Sequence, residues 1–424
     1  MQVSTMRRVD RWLGTPLCVL LTAVRQAVDV ARPGRPNDER PASIVFIKLA
    51  EQGSTVLAWP AIRNAIERVG RERVFFVVFE ENRPILDAVA WIPQENILAI
   101  PSDSLPAVAR GALRAVRRLR RLNIGAAIDL EFFARSSAIL SYLSGAPKRV
   151  GFHAYAGESG YRGDLCTHRL VFNPYLHTSQ VFEELVDALD QPPGKLPAYD
   201  ALPPTSRALP EFRPTQDEIE TVRRMLEGGG CAGTPLILLN ANASDLIPLR
   251  RWPAERYVEL AARLLEKYPL ASVLFTGAPS EAIATDRLVR EVGSDRCVSV
   301  AGRTSFRDLL TLYTLSDVLV TNDSGPSHFA ALTPIEVITL FGPETPALFA
   351  ALTPRNRALW AGIVCSPCLN AFNDRQSSCS NNVCMQRLSV AEVFEEVTRA
   401  YHRRASARPT CNPGRTGSAR GPSS

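Results

Sequence analysis

Short apolar runs alternate with longer amphipathic stretches along most of this chain, and the alternation runs through twice. In the first half the runs are "SIVFIKL" (43–49), "RVFFVVF" (73–79), "NILAI" (96–100) and "GAAIDL" (125–130). Helix-like stretches lie between them, including Ser54–Val69 and Leu105–Leu122. Runs with no polar face read as strands covered on both sides, which points to βαβ units in a parallel sheet. The segment "QPPGKLPAYDALPPTSRALPEFRP" (191–214) is rich in proline, has no period and breaks the pattern as a domain boundary does. Beyond it the alternation restarts with "PLILLN" (235–240), "ASVLFT" (271–276), "CVSV" (297–300), "DVLVT" (317–321) and "IEVITLF" (335–341). The expected fold class is therefore α/β, with two successive doubly wound parallel-sheet domains over 43–205 and 206–388. An N-terminal segment (1–42), a C-terminal helix (389–403) and a small, basic, apolar-poor tail (404–424), expected to be disordered, complete the division.

A chain of 424 residues is too long for one ordinary core, which agrees with two domains. Its charge balance, 49 Lys and Arg against 43 Asp and Glu, permits contact with phosphates or an anionic membrane without identifying either. Nothing favours nucleic acid, since no recognition module or aromatic-interleaved basic patch is present. Nine cysteines, four of them in one short segment and five scattered, do not look like a secreted disulfide framework, so a reducing cytoplasm is expected. No run reads as long and apolar enough to span a bilayer. The N-terminal stretch combines Trp12, basic residues and an apolar run from Leu13 to Val24. It suits either a helix lying on a membrane surface or one packed on the first domain, with a signal peptide as a third reading. The helix over 105–122 carries Arg110, Arg114, Arg117, Arg118, Arg120 and Arg121 opposite its apolar positions. That face is either simply solvated or turned toward anionic lipid.

The chemistry concentrates in "VTNDSGPSHFAALTP", which begins at Val320. A strand ends at Thr321 and a helix begins near Ser327, so the turn between them sits at the carboxyl end of a parallel strand, where open α/β sheets bind ligands. Ser324, Gly325 and Ser327 are small enough to let a phosphate reach backbone N–H groups, and the following helix start adds partial positive charge. Asp323 would then accept from sugar hydroxyls. The same residues would also serve as plain helix caps.

This element, continued by "TPIEVITLFGPETP", resembles the signature of glycosyltransferase family nine, the heptosyltransferases of lipopolysaccharide assembly. Three further stretches are similar in the right order: "IKLAEQGSTVLAWPAIRNAI" (47–66), "RSSAILSYLSGAPKRVGF" (135–152) and "LRRWPAERYVELAARLL" (249–265). The resemblance spans roughly residues 43 to 400 and implies the GT-B architecture, two Rossmann-like domains facing a cleft. It also implies inverting transfer without a catalytic metal. The donor, most naturally ADP-heptose, would be held by the C-terminal domain, and a lipid-linked or polysaccharide acceptor would be met at the cytoplasmic membrane face. Carried over by residue, it puts Asp323 on the donor sugar and Ser324, Gly325, Pro326 and His328 around the diphosphate. Arg250 falls where the family has a lysine near the phosphates, with Arg251 as the alternative, while Trp252 suits core packing. Gly277 and Glu281 would line the nucleoside pocket.

One departure stands out. The family's catalytic base is an Asp directly after a glycine, and here Gly53 is followed by Ser54, which has no useful basicity at neutral pH. Glu51, in the same loop, is the expected replacement, with Gln52 and Ser54 orienting substrate and Lys48 meeting a phosphate. Glu131 is a second candidate, and Asp129 is expected to be structural. Two alternatives remain open: the same machinery with another nucleotide-diphospho-sugar, or a non-catalytic sugar-nucleotide-binding protein. Finally, Cys365, Cys368, Cys379 and Cys384 are spaced for a structural zinc site, two disulfides or plain thiols.

Overall fold

The structure is a computed structural model that describes residues 3–31, 40–154, 160–193, 208–231, 233–243 and 247–407. Two helices open it, α1 (Val3–Trp12) and α2 (Gly14–Ala31). The first α/β unit then runs β1 (Ile44–Ile47), α3 (Gln52–Leu57), α4 (Trp59–Val69), β2 (Val74–Phe79), α5 (Arg83–Val89) and β3 (Ile97–Ile100). It continues through α6 (Leu105–Arg121), β4 (Ala126–Asp129), α7 (Arg135–Leu143), β5 (Lys148–Phe152), β6 (His168–Leu170) and α8 (Thr178–Asp187). The second unit runs α9 (Gln216–Gly228), β7 (Leu236–Asn240), α10 (Ala254–Lys267), β8 (Ser272–Phe275), α11 (Ala282–Val292), β9 (Cys297–Ser299) and α12 (Phe306–Leu315). It closes with β10 (Val318–Asn322), α13 (Gly325–Ala330), β11 (Glu336–Phe341), α14 (Pro346–Phe349), β12 (Asn356–Trp360), α15 (Val383–Gln386) and α16 (Val390–Ala407).

Both sheets are six-stranded and parallel throughout their recorded pairs. The first has the order β3-β2-β1-β4-β5-β6 and the second β12-β11-β10-β7-β8-β9. Counted within each unit, the two orders are the same doubly wound order, read from opposite edges. The central strands β1, β4, β7, β10 and β11 are buried at every position, which is why they are legible as unbroken apolar runs. One apolar cluster runs from β1 and β2 through Phe212 to Phe329 and Phe341, so the two units share core across their junction. The outer face of the second sheet is covered by α10 and α16, and that of the first by α6 and α7.

Several expectations need correction. The helix expected over Ser54–Val69 is two helices, broken at Ala58 where Trp59 and Pro60 start a new turn. β5, β6 and β12, three strands at or next to the sheet edges, were not anticipated. The C-terminal helix extends to Ala407, four residues into the supposed tail; the rest of that tail and the boundary at 205 lie outside the described residues. At the other end, α1 and α2 follow each other almost without a break. The helical stretch Thr5–Ala31 is therefore long and apolar enough to cross a membrane by length and composition, contrary to the sequence reading.

Candidate active site

The carboxyl ends of β1 and β10 face each other across the junction of the two units. From the first unit, the turn after β1 brings Lys48, Glu51 and Ser54 forward. From the second, the turn after β10 brings Asp323 and Ser324. The short helices that follow, α3 and α13, touch directly: a Cβ on Gly53 would lie 2.6 Å from His328 Cδ2 and 3.3 Å from Gly325 Cα. Only glycine permits this approach. Gly53→Ala is expected to cost about 1–3 kcal/mol by overpacking, read as a lower urea midpoint. An unchanged midpoint would show that the contact yields freely.

The loop that carries Glu51 is built around Glu131. This carboxylate accepts from the backbone N–H of Leu49 (2.8 Å) and Ala50 (3.1 Å) and from Lys48 Nζ (3.1 Å). These bonds hold the turn after β1 in place. Lys48 is not a solvated strand-end lysine. It is buried, and besides Glu131 it faces Glu51 Oε2 at 3.7 Å. Gln52 turns away to donate to the Glu81 carbonyl (2.7 Å). Asp129 is structural as expected: it is buried against Arg162 and accepts from Ser137 Oγ at 2.9 Å.

Glu51 itself adopts a left-handed backbone (φ 69°, ψ 82°), a conformation that non-glycine residues rarely take and that tends to mark functional sites. Its Oε2 accepts from Ser54 Oγ at 3.0 Å. Oε1 accepts from Arg375, a residue of the second unit. Burial alone would raise the Glu51 pKa, but the nearby charges of Arg375, Lys48 and Arg250 outweigh it and hold the group ionised.

Arg375 and Glu344 were missed by sequence reading. Arg375 arrives on the arm between Cys365 and Cys384, where Asp374 (φ 53°) and Arg375 (φ 52°) are both left-handed. Its guanidinium lies over Phe349 (4.9 Å to the ring centre) and Phe132 (5.7 Å), and its Nε faces Glu344 Oε1 at 3.5 Å. Glu344, fully buried in the "GPETP" turn after β11, accepts in turn from Arg250. Arg250 Nε also faces Asp323 Oδ2 at 3.5 Å. The result is one ionic chain across the domain junction, Glu131–Lys48–Glu51–Arg375–Glu344–Arg250–Asp323. It holds three cations and four acids. Burial and the charge of Glu344 push the Asp323 pKa well up despite Arg250.

The structure separates the two arginines that the sequence left open. Arg250 points into the cleft. Arg251 donates to the Ala243 carbonyl (2.8 and 3.2 Å) and braces the preceding loop. Trp252 is core, its Nε1 donating to the Leu388 carbonyl at 2.9 Å. Asn322 ties the turn together: it donates to the carbonyls of Ala241 and Asn242 and accepts from Trp252 N and Tyr257 Oη. Ser324 makes no side-chain cap to α13, so capping does not account for it, and Pro326 sits in the first turn of that helix. A Cβ on Gly277 would press on Asn242 (2.8 Å) and Glu281 (3.2 Å), while Glu281 accepts from Ala278 N at 2.7 Å. A cavity of about 490 Å³, lined by Tyr175, His177, Pro346, Asn356 and Arg357, opens on the flank of the junction and includes none of these residues.

His328 is buried, and Nδ1 has no hydrogen-bond partner. Burial, with lesser contributions from His177 and Arg250, brings its pKa down to about 3, so the ring is neutral and supplies no charge to a phosphate. The unfolded chain binds this proton near pH 6.5 and the native state does not, so stability falls as pH drops through that window. Between pH 7 and pH 5, wild type is expected to lose about 2 kcal/mol more than His328→Gln. Parallel losses in urea titrations of both proteins would contradict this.

Cys365, Cys368, Cys379 and Cys384 form no disulfide, and three of the four thiols face a polar neighbour. Cys368 Sγ faces Ser377 (3.7 Å), Cys379 Sγ faces Asn381 (3.5 Å) and Cys384 Sγ faces Asn382 (3.4 Å). Among the described residues, no three Cys, His, Asp or Glu side chains converge to hold a metal.

Residues 112–377 match the family model for glycosyltransferase family 9 (heptosyltransferase). Among curated relatives, the chain is 29% identical over 153 residues to lipooligosaccharide heptosyltransferase 2 of Haemophilus influenzae, covering 36% of this chain and 43% of that protein. It is 29% identical over 245 residues to the Haemophilus ducreyi protein of the same name, covering 55% and 67%. It matches 32% of the length of lipopolysaccharide heptosyltransferase 2 of Salmonella typhimurium, at 32% identity over 26% of this chain. The chain thus spans less than half of two of these three relatives. Among solved structures, the E. coli ADP-heptose lipopolysaccharide heptosyltransferase II aligns with a TM-score of 0.64 at 18% identity, over 85% of this chain and 99% of that one. A family 9 glycosyltransferase from Veillonella parvula aligns with a TM-score of 0.67 at 16% identity, over 85% and 97%. These likenesses carry the GT-B fold.

Proposed function

The chain belongs to glycosyltransferase family 9, and from that premise we propose that it is an inverting glycosyltransferase working in the cleft between Glu51 and Asp323. The donor is a nucleotide-diphospho-sugar, with ADP-heptose as the first choice. The acceptor is a lipopolysaccharide core or another lipid-linked saccharide, met at the inner face of the cytoplasmic membrane. The observation that carries this reading is the opposition of Glu51, hydrogen-bonded to Ser54, and the Arg250–Asp323 pair across the domain junction.

An acceptor hydroxyl attacks the anomeric carbon as the bond from that carbon to the diphosphate oxygen breaks. The hydroxyl proton passes to Glu51, and Ser54 orients the attacking oxygen beside it. The departing nucleoside diphosphate takes the bonding electrons, and its charge meets Arg250 and the backbone N–H groups near Ser324 and Gly325. Asp323 accepts from the donor sugar's hydroxyls, and Glu281 from the ribose. In the absence of donor, Glu344 and Glu51 occupy the guanidinium groups. A bound diphosphate competes for Arg250 and Arg375, and loss of the Arg375 pairing returns Glu51 toward ordinary carboxylate basicity. A panel of sugar nucleotides tested by thermal shift identifies the donor. Failure of every nucleotide-diphospho-sugar to stabilise the protein would remove this reading.

A further inference from the structure

We infer that α1 and α2 form a docking platform for an anionic membrane surface, set at the mouth of the cleft. The two readings of this segment prove to be different faces of one element. On its inner face α2 buries Gly14 and Cys18 against α7 and Thr22 against the loop at 161–164, and a Cβ on Gly14 would already lie 2.8 Å from Arg135 Cβ. Arg25 closes that side by pairing with Asp164 (2.7 Å) and Asp29 (2.6 Å). With one face committed to the first domain, α2 does not sit as a lipid-surrounded span, whatever its length.

The outer face is apolar and unpartnered. Leu13 (65% exposed), Leu17, Leu20 (59%), Val24 and Val28 (49%) recur at spacings of three or four, a single stripe along the helix. Trp12, 75% exposed, continues it at the α1 end, and Val19 (53%) widens it. A stripe of this kind on a water-soluble domain marks an interaction surface. The charge beside it selects the partner. α1 also carries Arg7 and Arg8, and its one acid, Asp10, is turned inward to accept from Arg135 N and Ser136 N at the start of α7. The other neighbour of α7 on this side is α6, with its exposed arginines 110, 114, 117, 118 and 121. A second copy of the chain would bring these cations together, whereas anionic headgroups neutralise them.

Position ties the platform to the site. Asp10 caps the helix that follows β4, whose carboxyl end faces the cleft, and Arg11 pairs with Asp374 at 2.9 Å. Asp374 adjoins Arg375, which holds Glu51. The apolar stripe therefore begins beside the arm that closes the cleft, where a lipid-anchored acceptor would arrive. This last step rests on the transferase reading; membrane docking itself does not.

The test is sedimentation of the full chain with phosphatidylcholine vesicles, with and without phosphatidylglycerol, in the absence of substrates. Wild type is expected to pellet with the anionic vesicles. Replacing Leu13, Leu17, Leu20 and Val24 together by Ser is expected to cut the bound fraction at least about tenfold. Arg7→Glu with Arg8→Glu leaves the stripe intact and is expected to abolish the preference for anionic over neutral vesicles, which keeps the test decisive if the fourfold variant misfolds. Wild type that stays in the supernatant with both vesicle types overturns the proposal. So does a dimer in solution that the fourfold variant disperses, since the stripe would then be covered by a second copy. Nucleoside-diphosphate release with detergent-dispersed acceptor is unchanged in all of these variants, so failure here and failure of the transferase reading are told apart.

Discussion

Glu51→Gln is expected to lower turnover by about a hundredfold or more while sugar-nucleotide binding stays near wild type. Glutamine keeps the shape of the side chain and its bond from Ser54 but cannot take the acceptor's proton. The substitution is informative because Glu51 is the one acid in the turn between β1 and α3, and its carboxylate stands beside Ser54. Glu131, on the neighbouring strand end, accepts from the backbone of Leu49 and Ala50. A companion measurement follows from the charge around it. Arg375 and Lys48 hold the Glu51 pKa down, so Arg375→Met should move the acid limb of kcat/KM to higher pH. Near-normal turnover of Glu51→Gln with intact donor binding would remove Glu51 as the base.

The second large effect concerns Arg250. Arg250→Met leaves Glu344 and Asp323 buried at the end of the ionic chain without their shared cation, which is expected to cost about 3–5 kcal/mol in urea denaturation. Adding Glu344→Gln removes the acid most closely paired with Arg250 and should recover a large part of that loss, because directly paired residues couple strongly. Donor affinity should not recover, since the Arg250 guanidinium that would meet the diphosphate is still missing. If stability and affinity return together in the double variant, Arg250 is a structural partner of Glu344 and not a donor ligand. A single-variant cost below about 1 kcal/mol would mean that the buried acids neutralise themselves.

The central strands were legible because sheets covered on both faces leave unbroken apolar runs, as in "SIVFIKL" and "IEVITLF". The edge strands β6 and β12, and β5 beside β6, were not. β12, "NRALW", is only partly buried and mixes Asn and Arg into its pattern, and β5, "KRVGF", carries a glycine and two basic residues. The break between α3 and α4 was signalled by Trp59–Pro60, but the amphipathic period runs on through it. At the site, Asp323 and Ser324 were picked out because they directly follow a strand that the pattern identifies, and Arg250 because "LRRWP" resembles the family's helix start. Glu344 also sits in a recognisable turn after a strand, and that position was its available signal. Arg375 had none. It comes from an irregular arm whose cysteines drew the reading toward metal chemistry, and only the fold brings it to Glu51 across 324 residues of sequence. The N-terminal helices failed differently: the apolar stripe was visible, but the inner face that fixes α2 to the first domain depends on Gly14, Cys18 and Thr22, which do not look like core.

Nucleoside-diphosphate release by the purified full chain, measured with ADP-heptose in the presence and absence of a heptose-deficient lipopolysaccharide acceptor, tests the account most directly. Release that requires acceptor and disappears in Glu51→Gln is the predicted result. Release at the same rate without acceptor, or tight donor binding with no release under either condition, would contradict a transferase working between Glu51 and Asp323.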